Sequence, residues 1–234
     1  AELQNLEIIT NLADNKLTID VPMDDLPSRA GFVKRLEVEF TITVPAETSV
    51  IVNSDFGEVS LAGTTGSADI TTGFGGIEVQ NLTGSLTISN QNGSTTLSGI
   101  RAGADKVQVI SSFGEINVNG AEAGSIYLKS NNGGISLEDG YTSGAITLDS
   151  GFGDVRYSVG RAETVSINSD NGEVMLKDVT VNAEVTATSN FGDVTVFDVS
   201  AKRYTIQSQN GELILKCFLA ANQVFESARP ATGN

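Results

Sequence analysis

Six acidic residues recur along the chain in a regular row: Glu58, Glu115, Asp154, Glu173, Asp193 and Glu212. Each directly follows a glycine, in phrases such as "SDFGEV", "SDNGEV" and "SNFGDV". Carboxylates at fixed spacing suit two kinds of chemistry. Their oxygens bind calcium, and two or three at the right separation hydrolyse or eliminate polysaccharide. Other chemistries are closed off by composition. The chain has no histidine, which removes imidazole-dependent nucleophiles and most zinc sites. Cys217 is the single cysteine, so no intramolecular disulfide forms, and beside Phe218 a buried, inert thiol is expected. With 14 basic and 29 acidic residues the net charge is −15, which repels phosphate backbones and anionic lipid surfaces. Nucleic acid is therefore not expected as a partner, and apolar runs of only a few residues leave direct membrane insertion unexpected too.

The elements that must position these residues are written in the same phrases. The glycines fall at Gly57, Gly75, Gly93, Gly114, Gly133, Gly153, Gly172, Gly192 and Gly211, spaced by 18 to 21 residues. Counting from each, the positions seven and five before it and two and four after it are apolar at 35 of 36 places, Thr95 being the exception. The positions between them are apolar at only five of 27. Period-2 alternation predicts two short strands per repeat, each with one buried face and one wet face. A meander would need about eighteen strands in one open sheet, more than twisted sheets usually reach. Propeller blades need inner strands that are apolar on both faces. One-sided strands at each half-repeat predict instead an all-β fold, a single-stranded parallel β-helix or solenoid with coils of about 19–20 residues. Nine such coils, stacked at about 4.8 Å, make a rod roughly 40 Å long.

Continuing the inward parity toward the glycine places two more rows inside. Three before it stand mostly serines (Ser54, Ser111, Ser130, Ser150, Ser169, Ser189 and Ser208), with Thr72 and Asn90 in the other coils. A small hydroxyl there is expected to bond to backbone where the coil bends. One before the glycine, Phe56, Phe74, Phe113, Phe152 and Phe191 alternate with Asn92, Asn132, Asn171 and Asn210. Inward parity assigns the phenylalanines to the core. The alternation reads as large and small residues interdigitating, since adjacent coils have little room for two rings. The glycine itself reads as a corner with positive φ. An Asn-Gly pair alone would suggest a hairpin tip, but Phe-Gly at the equivalent place argues against one.

The repeat gives the domain boundaries. Residues 1–47 lack it but alternate in "NLEIIT", "KLTIDV" and "RLEVEFTITV", joined by the turn-rich "PMDDLPSRAG". They predict a strand-built N-terminal cap continuous with the solenoid coils at 48–216. Residues 217–234 predict a C-terminal cap and tail. No signal peptide is visible, and the start at Ala1 is consistent with a leader removed ahead of it.

The acidic row is expected to be an exposed corner that keeps the rod soluble, with a cation-regulated assembly along it as a third reading. An enzyme reading would use Asp154, Glu173 and Asp193, but short, even coils offer no long loops to build a cleft. No catalytic, cofactor-binding or metal-binding residue is assigned, and no cofactor is expected. The outer threonines Thr186, Thr188, Thr195 and Thr205 form no regular array.

The stretch "EFTITVPAETSVIVNSDFGEVSLAGTTGSADITTGFGGIEV" (39–79) resembles an adhesin-like family of uncharacterised bacterial envelope proteins. Members show an I-x-V-P stretch leading into coils of the form V-x-V-x-S-x-x-G-x-V-x-V, and the resemblance covers roughly residues 36–216. It implies a β-solenoid displayed in or beyond the envelope, with no established catalytic residues to carry over. The resulting expectation is a non-enzymatic, extracytoplasmic structural, adhesin-like or ligand-binding module. Its partner would be a surface, glycan or protein ligand. The alternative is a carbohydrate-active β-helix enzyme, a polysaccharide lyase or hydrolase.

Overall fold

A computed structural model of the chain describes residues 9–13, 16–20, 41–216 and 224–228. Cys217, the connection "PMDDLPSRAG" and most of "RLEVEFTITV" lie outside the described residues. The chain divides into two compact units, Ala1–Thr43 and Val44–Asn234. In the first, Ile9–Ala13, which overlaps the end of "NLEIIT", pairs antiparallel with Lys16–Asp20 of "KLTIDV".

The second unit is the parallel solenoid, of about nine turns. Each strand pairs in parallel with the equivalent strand one coil away. Val50–Phe56 lies on Ala68–Phe74, which lies on Leu86–Asn92. After the corner glycine, Val59–Ala62 lies on Ile77–Gln80, which lies on Thr95–Arg101. The ladder continues to Arg203–Ser208, which pairs with Val224–Ala228. The registers join identical repeat positions, such as Val107 to Ile126 to Ile146. The apolar rows therefore become stacked ladders of Val, Ile and Leu, and the coils between the ends bury them completely.

A third inward side lies beyond the two that alternation predicts. Six residues after the corner glycine the backbone turns through the left-handed region, at Gly63, Asn81, Gly99, Gly120, Asp139, Val159, Asp178 and Asp198, with φ from 50° to 77°. That turn shifts the parity by one. Leu82, Ile100, Ala121, Val179 and Val199, one residue further on, point inward, as do Ala102, Ala123, Ala162, Val181 and Ala201 two residues after those. The signal was legible: Gly, Asn or Asp, the residues that tolerate positive φ, occupy seven of these eight places.

The polar rows inside follow backbone accounting. Ser130, Ser150, Ser169, Ser189 and Ser208 are buried, and each Oγ donates to the carbonyl of the corner glycine one coil away at 2.9–3.0 Å. This fulfils the expectation for the serine row. The two exceptions in the repeat pattern explain one another. Asn90 takes the serine position and donates through Nδ2 to the Gly93 carbonyl at 2.9 Å and, more weakly, to Thr95 Oγ1 at 3.5 Å. Its Oδ1 accepts from Thr72 Oγ1 at 2.9 Å. Thr95, the single polar residue in the apolar rows, thus has a buried amide as neighbour. Ser111 Oγ, the serine of the next coil, is buried without a hydrogen-bond partner.

The phenylalanine row corrects the inward reading. Phe56 is 78% exposed, and Phe74, Phe113, Phe152 and Phe191 are 50–59% exposed. Parity holds through the serine position and fails after it, because the coil bends there and turns the next two residues out. The steric account of the Phe/Asn alternation fails as well. Phe56 and Phe74 occupy adjacent coils and stack, with ring centroids 5.2 Å apart and planes 5° from parallel.

Candidate functional site

The bend builds one corner that runs the length of the solenoid. Its backbone is packed coil on coil at the glycines. A Cβ added to Gly75, Gly93, Gly114, Gly172 or Gly192 would collide with the carbonyl group of the corner glycine in the neighbouring coil. Gly172 has no left-handed φ, so close approach alone requires glycine there. With the corner glycines pressed together, the residues on either side project to solvent as two parallel rows, one aromatic and one acidic.

In the aromatic row the register runs Phe56, Phe74, Asn92, Phe113, Asn132, Phe152, Asn171, Phe191. The asparagines hold backbone. Nδ2 of Asn92, Asn132 and Asn171 donates at 3.3 Å to the carbonyls of Gly73, Ser112 and Gly151 in the neighbouring coil, and Asn210 does the same to Asn190 at 3.1 Å. Each asparagine therefore caps the coil that carries a phenylalanine. The rings have no such duty, and four of them recur at every second coil. Beside the stacked Phe56–Phe74 pair lies a depression of about 260 Å³, bordered by Asn53, Asp55, Thr71 and Gln91.

In the acidic row the aspartates are partly structural. Asp154 Oδ1 accepts from the Glu173 backbone N–H at 3.0 Å, and Asp193 Oδ1 accepts from that of Glu212 at 2.7 Å. Arg156 pairs with Asp154 at 2.8 Å and lies 3.9 Å from Glu173. The Glu173 N–H, opposed by partial burial and helped by Arg156, holds the Asp154 carboxyl below the usual range. Asp154, Glu173 and Asp193, the residues of the enzyme reading, thus project side by side from successive coils of one corner. They do not converge from different faces. Among the described residues no group of three or more His, Cys, Asp or Glu is placed to hold a metal ion.

Outside the corner, a polar ladder on the flanking face links Lys129 to Asp149 at 2.7 Å, Asp149 to Asn168 at 3.1 Å and Asn168 to Thr188 at 2.8 Å. Although burial disfavours its charge, the Lys129 and Asn168 hydrogen bonds hold the Asp149 carboxyl below its usual value. Tyr157 is fully buried and donates to the Gly140 carbonyl at 2.7 Å; burial pushes its phenol well above the usual value. A Cβ on Gly160 would collide with the Gly140 carbonyl and the Tyr157 hydroxyl, and one on Gly140 would crowd the Leu137 side chain and the Tyr157 ring.

Both rows of the corner are visible in the sequence, but parity alone places the aromatic one inside, whereas the bend turns it to solvent. The signal that could have corrected it is the residue two before the glycine, where Gly73, Gly151, Asn131 and Asn190 are residues that favour a bend.

A family model described as Toastrack DUF4097 matches residues 3–163 and again 124–221. No curated protein and no solved structure compared with the chain matches it.

Proposed function

The chain belongs to the Toastrack DUF4097 family, and from the geometry of its corner we propose that it is a non-enzymatic binding module that holds an extended ligand along the solenoid. One observation carries this reading: five phenylalanine rings stand exposed in a line where the fold does not need them, since asparagine serves the same position in the other coils. Exposed apolar rows of this kind are costly in solubility and mark interaction surfaces. A ligand would lie across successive coils, touching rings and carboxylates in repeating register, with affinity accumulating along its length.

The module acts outside the cytoplasm, as the resemblance of residues 39–79 to envelope proteins supports, and an adhesin-like task at the envelope follows from that placement. Fractionation of cells expressing the tagged natural protein tests the location; recovery in the cytoplasm alone would contradict it. The binding role is tested by probing arrays of glycans and of peptides with the intact chain. Retention on one class of ligand, lost when the exposed rings are replaced, is the expected result. Cleavage of polysaccharide, abolished by Asp154→Asn with Asp193→Asn, would overturn the non-enzymatic reading.

A further inference from the structure

Resting on that reading and deepening it, we infer that the aromatic corner receives an extended basic polypeptide segment carrying Lys or Arg at about every third residue. Geometry gives the conformation. Phe74, Phe113, Phe152 and Phe191 are separated by single asparagine coils, so the rings repeat every second coil. Two coils span about 9.6 Å. A β-strand ligand returns a side chain to one face at about 6.8 Å and falls out of step. A polyproline II segment returns one every third residue, at about 9.3 Å, and drifts by only about 1 Å across the four rings.

Charge gives the chemistry. From two residues before each corner glycine to one after it, the nine coils carry eight carboxylates, namely the acidic row with Asp55 and Asp170, and no Lys or Arg. A second copy of the chain would set this row against its like. A neutral glycan would cover the rings but leave most of the carboxylates without a cation, Arg156 serving only Asp154 and its neighbour Glu173. An ammonium or guanidinium group over a phenyl face is drawn by the ring and by the adjacent carboxylate together. The molecule makes this kind of contact internally, where Lys177 Nζ lies 5.9 Å from the centroid of the Phe197 ring. The stacked Phe56–Phe74 pair, with Asp55 beside it, widens the platform at one end of the row.

The test titrates a fluorescent peptide of repeated Lys-Pro-Pro triplets into the intact chain at physiological ionic strength. The informative variant combines Phe74→Asn, Phe113→Asn, Phe152→Asn and Phe191→Asn. It keeps every charge and installs the residue that other coils already use. Each lost ring contact costs about two- to fivefold in affinity, so the combined loss should be at least tenfold. Phe152→Asn alone should cost about two- to fivefold and serves if the combined variant fails to fold. A peptide with the same lysines in one contiguous block should bind more weakly than the triplet peptide. Equal binding by wild type and variant, or by both peptides, would reduce the attraction to net charge and overturn the inference. Absence of peptide binding would overturn it too. If cello-oligosaccharides then bound in a ring-dependent way, the binding-module reading would survive with a different ligand class; blank results on both would count against that reading as well.

Discussion

Gly172→Ala separates two reasons for glycine at the corner. Its backbone is not in the left-handed region, so alanine incurs no conformational penalty. On that count alone it should stabilise the protein by about 0.4–1 kcal/mol, by restricting the unfolded chain. Against this, the new Cβ would overlap the Gly153 carbonyl and lie 2.9 Å from the Asp154 nitrogen. Relief requires the coils to part locally. Two hydrogen bonds lie in the way: Ser169 Oγ to the Gly153 carbonyl at 2.9 Å, and Gly153 N–H to the Asn171 carbonyl at 3.2 Å. Losing both costs about 2 kcal/mol, and overpacking adds about 1–3 kcal/mol. The overlap should win, with a net loss of about 2–4 kcal/mol by these figures. Chemical denaturation followed by circular dichroism measures it. Ser169→Ala alone should cost about 1 kcal/mol, and its effect should shrink in the Gly172→Ala background because the bond is already broken. A Gly172→Ala protein as stable as the parent would refute coil-on-coil contact as the reason for the glycine. Gly57→Ala is the complement. Its Cβ would meet open space at φ 125°, so the loss of about 1–3 kcal/mol should come from backbone strain alone.

Other positions give sharper yes-or-no outcomes. Val159 is the one β-branched residue at the left-handed turn six residues after the corner glycine, with φ 56°, so Val159→Asn should raise stability by about 1 kcal/mol in the same denaturation assay. Val174 is fully buried whereas Thr195 faces outward, so Val174→Asp should cost more than about 4 kcal/mol and Thr195→Asp under about 0.5 kcal/mol. Asp154 has a folded pKa below its unfolded value, so its contribution is present above about pH 4 and is lost as pH falls through the folded pKa. Replacing it by Ala should flatten the acid limb of a stability–pH curve in that window.

Most of the fold was legible because the solenoid enforces its own periodicity. Val, Ile and Leu at alternating positions can only be rows that stack, and Thr95 stood out as an anomaly that Asn90 then explains. The third side escaped because the left-handed residue at positions such as Asn81 and Asp178 slips the parity by one, and alternation counted across it gives the wrong face. The phenylalanines were misplaced for a related reason. Hydrophobicity and parity both favoured the core, yet the bend after each serine lies before the ring. Their line along the corner depends on coil-to-coil register, which no local reading contains. The acidic row was placed correctly at the surface, but the capping of the next coil's N–H by Asp154 and Asp193 is a contact between residues 19 positions apart.

The central claim is that the rings of Phe74, Phe113, Phe152 and Phe191 stand on the surface for a ligand and contribute little to the fold. Chemical denaturation of the fourfold Phe→Asn variant tests this most directly. Four buried phenylalanines would each be worth about 3–5 kcal/mol, in total comparable to or above a domain's whole stability of about 5–15 kcal/mol. The surface assignment predicts a variant within about 2 kcal/mol of the parent, cooperative and with unchanged β-sheet signal. A variant that unfolds, or loses several kcal/mol, would contradict it.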